Sequence, residues 1–150
     1  MSTHNVKILG QYIKDLSFEL PGAPQVFSTA PARPDINVSI DIDAKKMSEG
    51  NFEIALKIKA ESKINDEPFF ICELLYCGLF AFGKIEENLL EQILLIYCPN
   101  LLFPFVRRII TNLTSDAGLA PLMLDPIDFA ELYNRRKKVA AAAPVSDLKN

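Results

Sequence analysis

From residue 35 to 43 the chain reads Asp35-Ile36-Asn37-Val38-Ser39-Ile40-Asp41-Ile42-Asp43, polar and apolar in strict alternation. Successive side chains point to opposite faces of a strand, so the pattern predicts one with Ile36, Val38, Ile40 and Ile42 on one face and an acidic, wet opposite face. Residues 52 to 60 repeat it, with Phe52, Ile54, Leu56, Ile58 and Ala60 inward and Glu53, Lys57 and Lys59 outward. An earlier strand near Tyr12 to Leu20 sets Leu16, Phe18 and Leu20 against Asp15, Ser17 and Glu19. Between these lies Pro21 to Pro34, PGAPQVFSTAPARP, whose prolines forbid a helix and favour an extended crossing segment. It carries Val26 and Phe27 with nothing local to bury them. Ile64-Asn65-Asp66-Glu67 reads as a hairpin connection into a fourth strand, Phe69 to Phe82, apolar on both faces except for Glu73. Such a strand is either central in its sheet or paired across an interface.

Past Gly83 the period becomes helical. Glu86 to Tyr97 predicts a short helix, and Pro99 opens a second at its first turn. Leu101, Phe105, Ile109 and Leu113 carry that helix to about Thr114, with a bend expected at Pro104. Ala120 to Asp128, with Pro121 and Pro126, is a loop; Asp128 caps a last helix, Phe129 to Val139, which carries Phe129, Leu132 and Tyr133 on one side. The end, RRKKVAAAAPVSDLKN, lacks apolar anchors and reads as a mobile tail, leaving residues 1–134 as one domain and 135–150 as the tail. The fold class expected is α+β, with the β half first. The densest apolar stretch is YCPNLLFPFVRR, Tyr97 to Arg108. Its Leu101, Leu102, Phe103, Phe105 and Val106 form a stripe wider than one small domain covers by itself. For Phe27, Phe103 and Phe105 the residues leave core, oligomer interface and ligand groove equally open.

Charge and composition narrow the function. A chain of 150 residues fits one domain, which buries about 68 to 70% of the surface its unfolded form exposes. With 16 basic and 19 acidic side chains the net charge is −3, against the broad positive field of a nucleic-acid binder. The three cysteines, Cys72, Cys77 and Cys98, cannot all pair within one chain and lack C-x-x-C spacing, which fits buried thiols in a reducing cytoplasm. The N-terminal segment has no apolar run bounded by a cleavage site, and no segment holds roughly 18 uninterrupted apolar residues. The expectation is a soluble cytoplasmic chain.

Catalytic chemistry is thin. His4, the only histidine, lies in the terminal segment, where no fixed neighbour orients it. No G-x-S-x-G, phosphate-cradling glycine loop or H-E-x-x-H occurs. Cys98, before a proline at an expected helix N-terminus, has no histidine partner and reads as a structural thiol. The pairs Asp15/Glu19 and Asp41/Asp43 sit at alternating strand positions and read as solvated faces or a binding surface. The surplus of apolar groups on the crossing segment, the kinked helix and the last helix points to a binder.

Three strings in one order then identify a family. KDLSFELPGAPQVF (Lys14 to Phe27), FFICELLYCGLFAFG (Phe69 to Gly83) and YCPNLLFPFVRRIIT (Tyr97 to Thr111) resemble the bacterial protein-export chaperone family SecB, over about residues 8 to 134. The resemblance implies a four-stranded antiparallel sheet with helices on one face, assembled as a homotetrameric dimer of dimers. The long helix, here about Pro99 to Leu113, would lie between the two layers, placing Cys98, Leu101, Leu102, Phe105, Val106 and Ile109 at the oligomer interface. It implies no enzymatic activity and no cofactor or metal. Its implied partners are unfolded precursor proteins and the SecA motor ATPase of the secretion translocon. By motif position, Asp15, Glu19, Ile71 and Glu73 fall where the family docks SecA. Val26, Phe27, Ile36, Val38, Ile40, Phe129, Leu132 and Tyr133 fall in the client groove. The chain departs from the family pattern in having no Trp, in a less aromatic Ala30 to Arg33 segment, and in a basic, Ala-rich end. A SecB-like chaperone dedicated to one partner, such as the antitoxin of a toxin pair, is the nearest alternative. A small enzyme or carrier with a lipophilic pocket is the more distant one.

Overall fold

A computed structural model describes residues 5–28 and 34–142. His4, the Ala30 to Arg33 segment and the end of the chain from residue 143 lie outside the described residues. Four long strands, β1 (Val6–Glu19), β2 (Asp35–Ser48), β3 (Asn51–Ile64) and β4 (Glu67–Phe82), form one antiparallel sheet in the order β1-β4-β3-β2. The doubly apolar fourth strand is central, and the Pro-containing segment carries the chain from the β1 edge to the β2 edge. Asn65 and Asp66, with φ of 52° and 64°, close the β3–β4 hairpin with both central residues left-handed, the twist that such two-residue turns require. β1 starts at Val6, well before the expected Tyr12, because register shifts between Ile8/Gly10 and Ile13/Asp15 break the period of two that marks a strand in sequence.

Helices cover one face only. Ile54, Leu56, Ile58 and Ala60 of β3 and Cys72, Leu74 and Phe80 of β4 are buried between the sheet and α2 (Cys98–Asp116). Gly78 lets the helix come close. A Cβ built there lies 2.6 Å from Cε2 of Phe80 and 2.9 Å from Cδ2 of Leu102, so a larger residue has to displace the Phe80 ring and the Leu102 side chain. The opposite face carries no helix among the described residues and is lined by the polar residues of β2 and β3 together with Ile71, Leu75, Cys77 and Leu79 of β4.

The expected break between two helices is not there. α1 (Glu87–Gln92), a π-helical turn (Ile93–Tyr97) and α2 run as one helix, Glu87–Asp116, of 30 residues. A proline ring collides with the carbonyl four residues earlier, and the wide i→i+5 turn before Pro99 makes room for it without ending the helix. Cys98 therefore sits inside a helix and not at its N-terminus. By length and composition this helix could also cross a membrane, contrary to the expectation that no segment reaches that length. Its Cys98, Leu102, Val106 and Ile110 are, however, wholly buried against the chain's own sheet.

This packing corrects the interface set. Cys98, Leu102 and Val106 recur every fourth residue on the sheet-facing stripe, so they are core and unavailable to a second chain. Leu101, Phe105 and Ile109, one position back, share the outer stripe, together with Tyr97 at 50% exposed and Phe105 at 38%. Phe103 packs edge-on against Phe129, ring centroids 5.8 Å apart, and also belongs to the core.

α3 (Phe129–Ala142) packs on the π turn and reaches edge strand β2 through Arg136. Asp128 caps it as expected, its Oδ1 accepting the Glu131 N–H at 3.0 Å. Arg136 reaches Asp41 at 3.1 Å on β2, so the boundary drawn at 134 falls within a helix that holds on to the sheet.

Candidate functional site: two faces of one sheet

On the helix side, at the end of the sheet where β3 turns into β4, an apolar cavity of about 590 Å³ opens to solvent. Ile36 from β2, Ile64 from the hairpin, Phe69 and Phe70 from β4, Phe27 from the crossing segment and Leu119 and Leu122 from the loop after α2 converge on it. Each wall has a local cause. Gln25–Phe27 form a 3₁₀ turn in which the Val26 N–H donates to the Gly22 carbonyl at 2.9 Å and the Phe27 N–H to that of Pro24 at 3.1 Å. Proline leaves this segment few other backbone options, and the turn presents Phe27, 57% exposed, at the rim.

The opposite rim begins at Gly118, whose φ of +82° ends α2 in the left-handed conformation that glycine adopts without strain. A Cβ there would lie 3.2 Å from Cε1 of Phe27, so the ring rests directly over the glycine. Two threonines then hold the loop down. Thr114 Oγ1, buried, accepts the Leu122 N–H at 2.9 Å, while Thr111 Oγ1 lies 2.8 Å from the Leu122 carbonyl oxygen. Both backbone groups of Leu122 are thereby satisfied without a strand or helix, and the loop keeps its apolar side toward the groove.

The groove residues expected from sequence divide. Val26, Phe27 and Ile36 line this cavity, and Val38, 45% exposed, and the half-buried Ile40 continue the apolar row along β2. Leu132 and Tyr133 line a second, smaller hollow of about 180 Å³ with Ile42 and Leu95, beneath α3. Phe129 joins neither: at 1% exposed it is core. Phe69, Phe70, Leu119 and Leu122 also line the cavity and were not among the residues expected. The paired phenylalanines at the start of β4 were a visible signal; the loop leucines were not, because only the threonine clamp brings them in.

The other face of the sheet is flat and carries Asp15, Glu19, Ile71 and Glu73. Pairing sets Glu19 opposite Ile71 and Ser17 opposite Glu73, which gathers the four residues into one patch at the β1 edge. Glu73 lies 3.9 Å from Lys59, while Asp15 and Glu19 are exposed.

Further along the same face is a cluster that sequence reading left unconnected. Glu53 of β3 reaches across β4 to β1, where Tyr12 donates a hydrogen bond to its Oε2 and Lys14 Nζ lies 2.9 and 3.2 Å from its two oxygens. These bonds hold the Glu53 carboxyl below its ordinary 4.5 against the opposing effect of burial. Burial, with the Glu53 bond and charge, pushes the Tyr12 hydroxyl up to about 12. The Glu53 contribution to stability is therefore complete above pH 4.5 and is lost as pH falls below that value. That of Tyr12 is complete below its ordinary 10 and is lost as pH rises toward 12. The stability difference between wild type and Glu53→Gln, measured by urea denaturation, should shrink between pH 5 and pH 3.

Burial pushes the Cys98 thiol up to about 12 and, with nearby carboxylates, Cys72 and Cys77 to about 11, so all three stay protonated at neutral pH. Among the described residues no group of three or more His, Cys, Asp or Glu side chains could hold a metal ion.

Comparison with known proteins identifies the family. Residues 1–140 match the family model described as preprotein translocase subunit SecB. The chain is 49% identical over 138 residues to the protein-export protein SecB of Parvibaculum lavamentivorans, covering 92% of this chain and 82% of that one. To the protein of the same name from Maricaulis maris it is 45% identical over 143 residues, covering 95% and 83%. Among solved structures it is similar to a Mycobacterium tuberculosis SecB-like chaperone, Rv1957, in complex with a ChAD peptide from the antitoxin HigA1. The TM-score is 0.67 and the identity 16%, over 81% of this chain and 90% of that one, a likeness of fold. The four-stranded antiparallel sheet with helices on one face is thus the fold the sequence led one to expect, and the chain belongs to the SecB family, whose members are protein-export chaperones and not enzymes.

Proposed function

We propose that this protein binds unfolded precursor proteins in the cytoplasm, keeps them competent for translocation and hands them to SecA. The observation that carries the reading is the separation of the two surfaces. The apolar groove lies on the helix side and the acidic patch on the bare side of the same sheet. Extended apolar segments of a client gain about 25 cal/mol per Å² buried in the groove, and burial makes little demand on their sequence. Weak selectivity suits a holding chaperone. The flat patch, with Asp15 and Glu19 solvated, suits a basic docking surface reached by electrostatic steering.

The working unit in this reading is a homotetramer. The outer stripe of the long helix, with Tyr97, Leu101, Phe105 and Ile109, is too apolar to remain in water and would be covered by a second layer. Edge strand β1, with Ile8, Leu9 and Ile13 exposed, offers the other contact. Light scattering after chromatography tests both parts. A tetramer that co-elutes with several unrelated denatured precursors and ignores their folded forms is the expected result. A monomer indifferent to them would overturn the proposal, and a complex with one precursor alone would move the dedicated chaperone to the front.

A further inference from the structure

We infer that the docking face reads both signs of charge: Leu75 is the apolar centre of the contact, and Lys57 beside it takes an acidic group of the partner. The inference rests on the reading that this face docks SecA, and it extends the contact from Asp15, Glu19, Ile71 and Glu73 onto β3.

Strand pairing lays the bare face out as a grid. One row runs Asp15, Leu75, Lys57 and Asp41 across β1, β4, β3 and β2, and the row two residues away runs Ser17, Glu73, Lys59 and Ser39. Leu75 therefore stands between a carboxylate on one side and an ammonium on the other. It is only half-buried, since no helix among the described residues covers this side, and Ile71 shares its strand and its face. An apolar side chain in the middle of a flat surface, ringed by charged groups, is where a partner gains most by excluding water.

The cations on this face are not equivalent. Lys14 is bound to Glu53, and Lys59 lies 3.9 Å from Glu73. Asp41, the neighbour of Lys57 on β2, is held instead by Arg136 at 3.1 Å. Lys57 is exposed and has no ion pair among the described residues. A partner surface that is basic throughout would be attracted at Asp15 and Glu19 but would set a like charge against Lys57 as it closed over Leu75. The surface that fits carries a basic and an acidic group about 10 Å apart, the width of two strand spacings, with an apolar side chain between them. Such a pattern also fixes which way round the partner lies, which attraction to an acidic patch alone does not.

Making the face more acidic separates the two cases, because a wholly basic partner would then bind more tightly. The assembled full-length protein is titrated with SecA by calorimetry as wild type, Lys57→Glu, Lys57→Met and Leu75→Thr, with an unfolded precursor in parallel. K57E should weaken SecA binding on the order of tenfold, and its penalty should contract in about 1 M salt. K57M keeps most of the aliphatic stem and loses the charge, so it should weaken binding by about threefold. L75T should weaken it on the order of tenfold at low and high salt alike. Precursor affinity should hold in all three, and the two variants at exposed Lys57 carry the test if L75T does not fold. SecA binding by K57E and K57M that equals or exceeds that of the wild type would overturn the inference and leave the docking role of the face standing. A wild type that does not bind SecA would overturn both.

Discussion

Replacing Phe27, Ile36 and Val38 together by alanine should weaken binding of unfolded precursors on the order of a hundredfold while leaving the fold and its assembly intact. The three side chains are 57%, 43% and 45% exposed, so each has close to half its surface free to be buried by a client. Covering that surface stabilises a complex by about 1 kcal/mol per side chain, and about 3 kcal/mol in all corresponds to roughly two powers of ten in Kd. The same exposure limits the cost to the free protein, since truncating a half-solvated side chain leaves no enclosed cavity. Fluorescence titration of a labelled, denatured precursor measures the loss, and thermal melting checks the fold. Alanine at Phe129 would not serve, because that ring is core against Phe103 and its removal unfolds what it was meant to probe.

Reversing the acidic patch should have the opposite selectivity. Asp15→Lys with Glu19→Lys changes the local charge by four units at two exposed positions, turning attraction for a basic surface into repulsion. Association with SecA should slow by at least tenfold at low ionic strength, and the difference from wild type should contract as salt approaches 1 M, where the screening length is about 3 Å. Precursor binding should not change, because the groove is on the other side of the sheet. Surface plasmon resonance at several salt concentrations reads both quantities. An equal loss for both ligands would mean that the two substitutions disturbed β1 itself.

How far the sequence led follows from which forces act locally. The strands of β2 and β3 were legible because alternation is a local property, and Ile36 to Ile42 paired with Ser62 to Leu56 places the same residues inward that the pattern did. The start of β1 was not, since two register shifts hide its period. On the long helix, apolar side chains occur on both sides, and a sequence cannot say which stripe meets the sheet. Leu101, Phe105 and Ile109 were placed at an interface together with Cys98, Leu102 and Val106, although the last three are wholly buried on the stripe that meets the sheet. Pro99 looked like a helix start because the π turn that accommodates it has no residue signature. Tyr12 and Glu53 are 41 positions apart, and their contact exists only once β4 has come between their strands.

In the proposed reading the client groove and the SecA patch lie on opposite faces of one sheet, which makes a demand that either site alone does not. Analytical ultracentrifugation of the chaperone, a denatured precursor and SecA, each pairwise and then together, tests it directly. The account predicts a single species containing all three, in which the precursor does not displace SecA and the affinity for SecA is at least as high as without it. Mutually exclusive binding, with SecA released in proportion to precursor bound, would contradict it by placing both ligands on one surface.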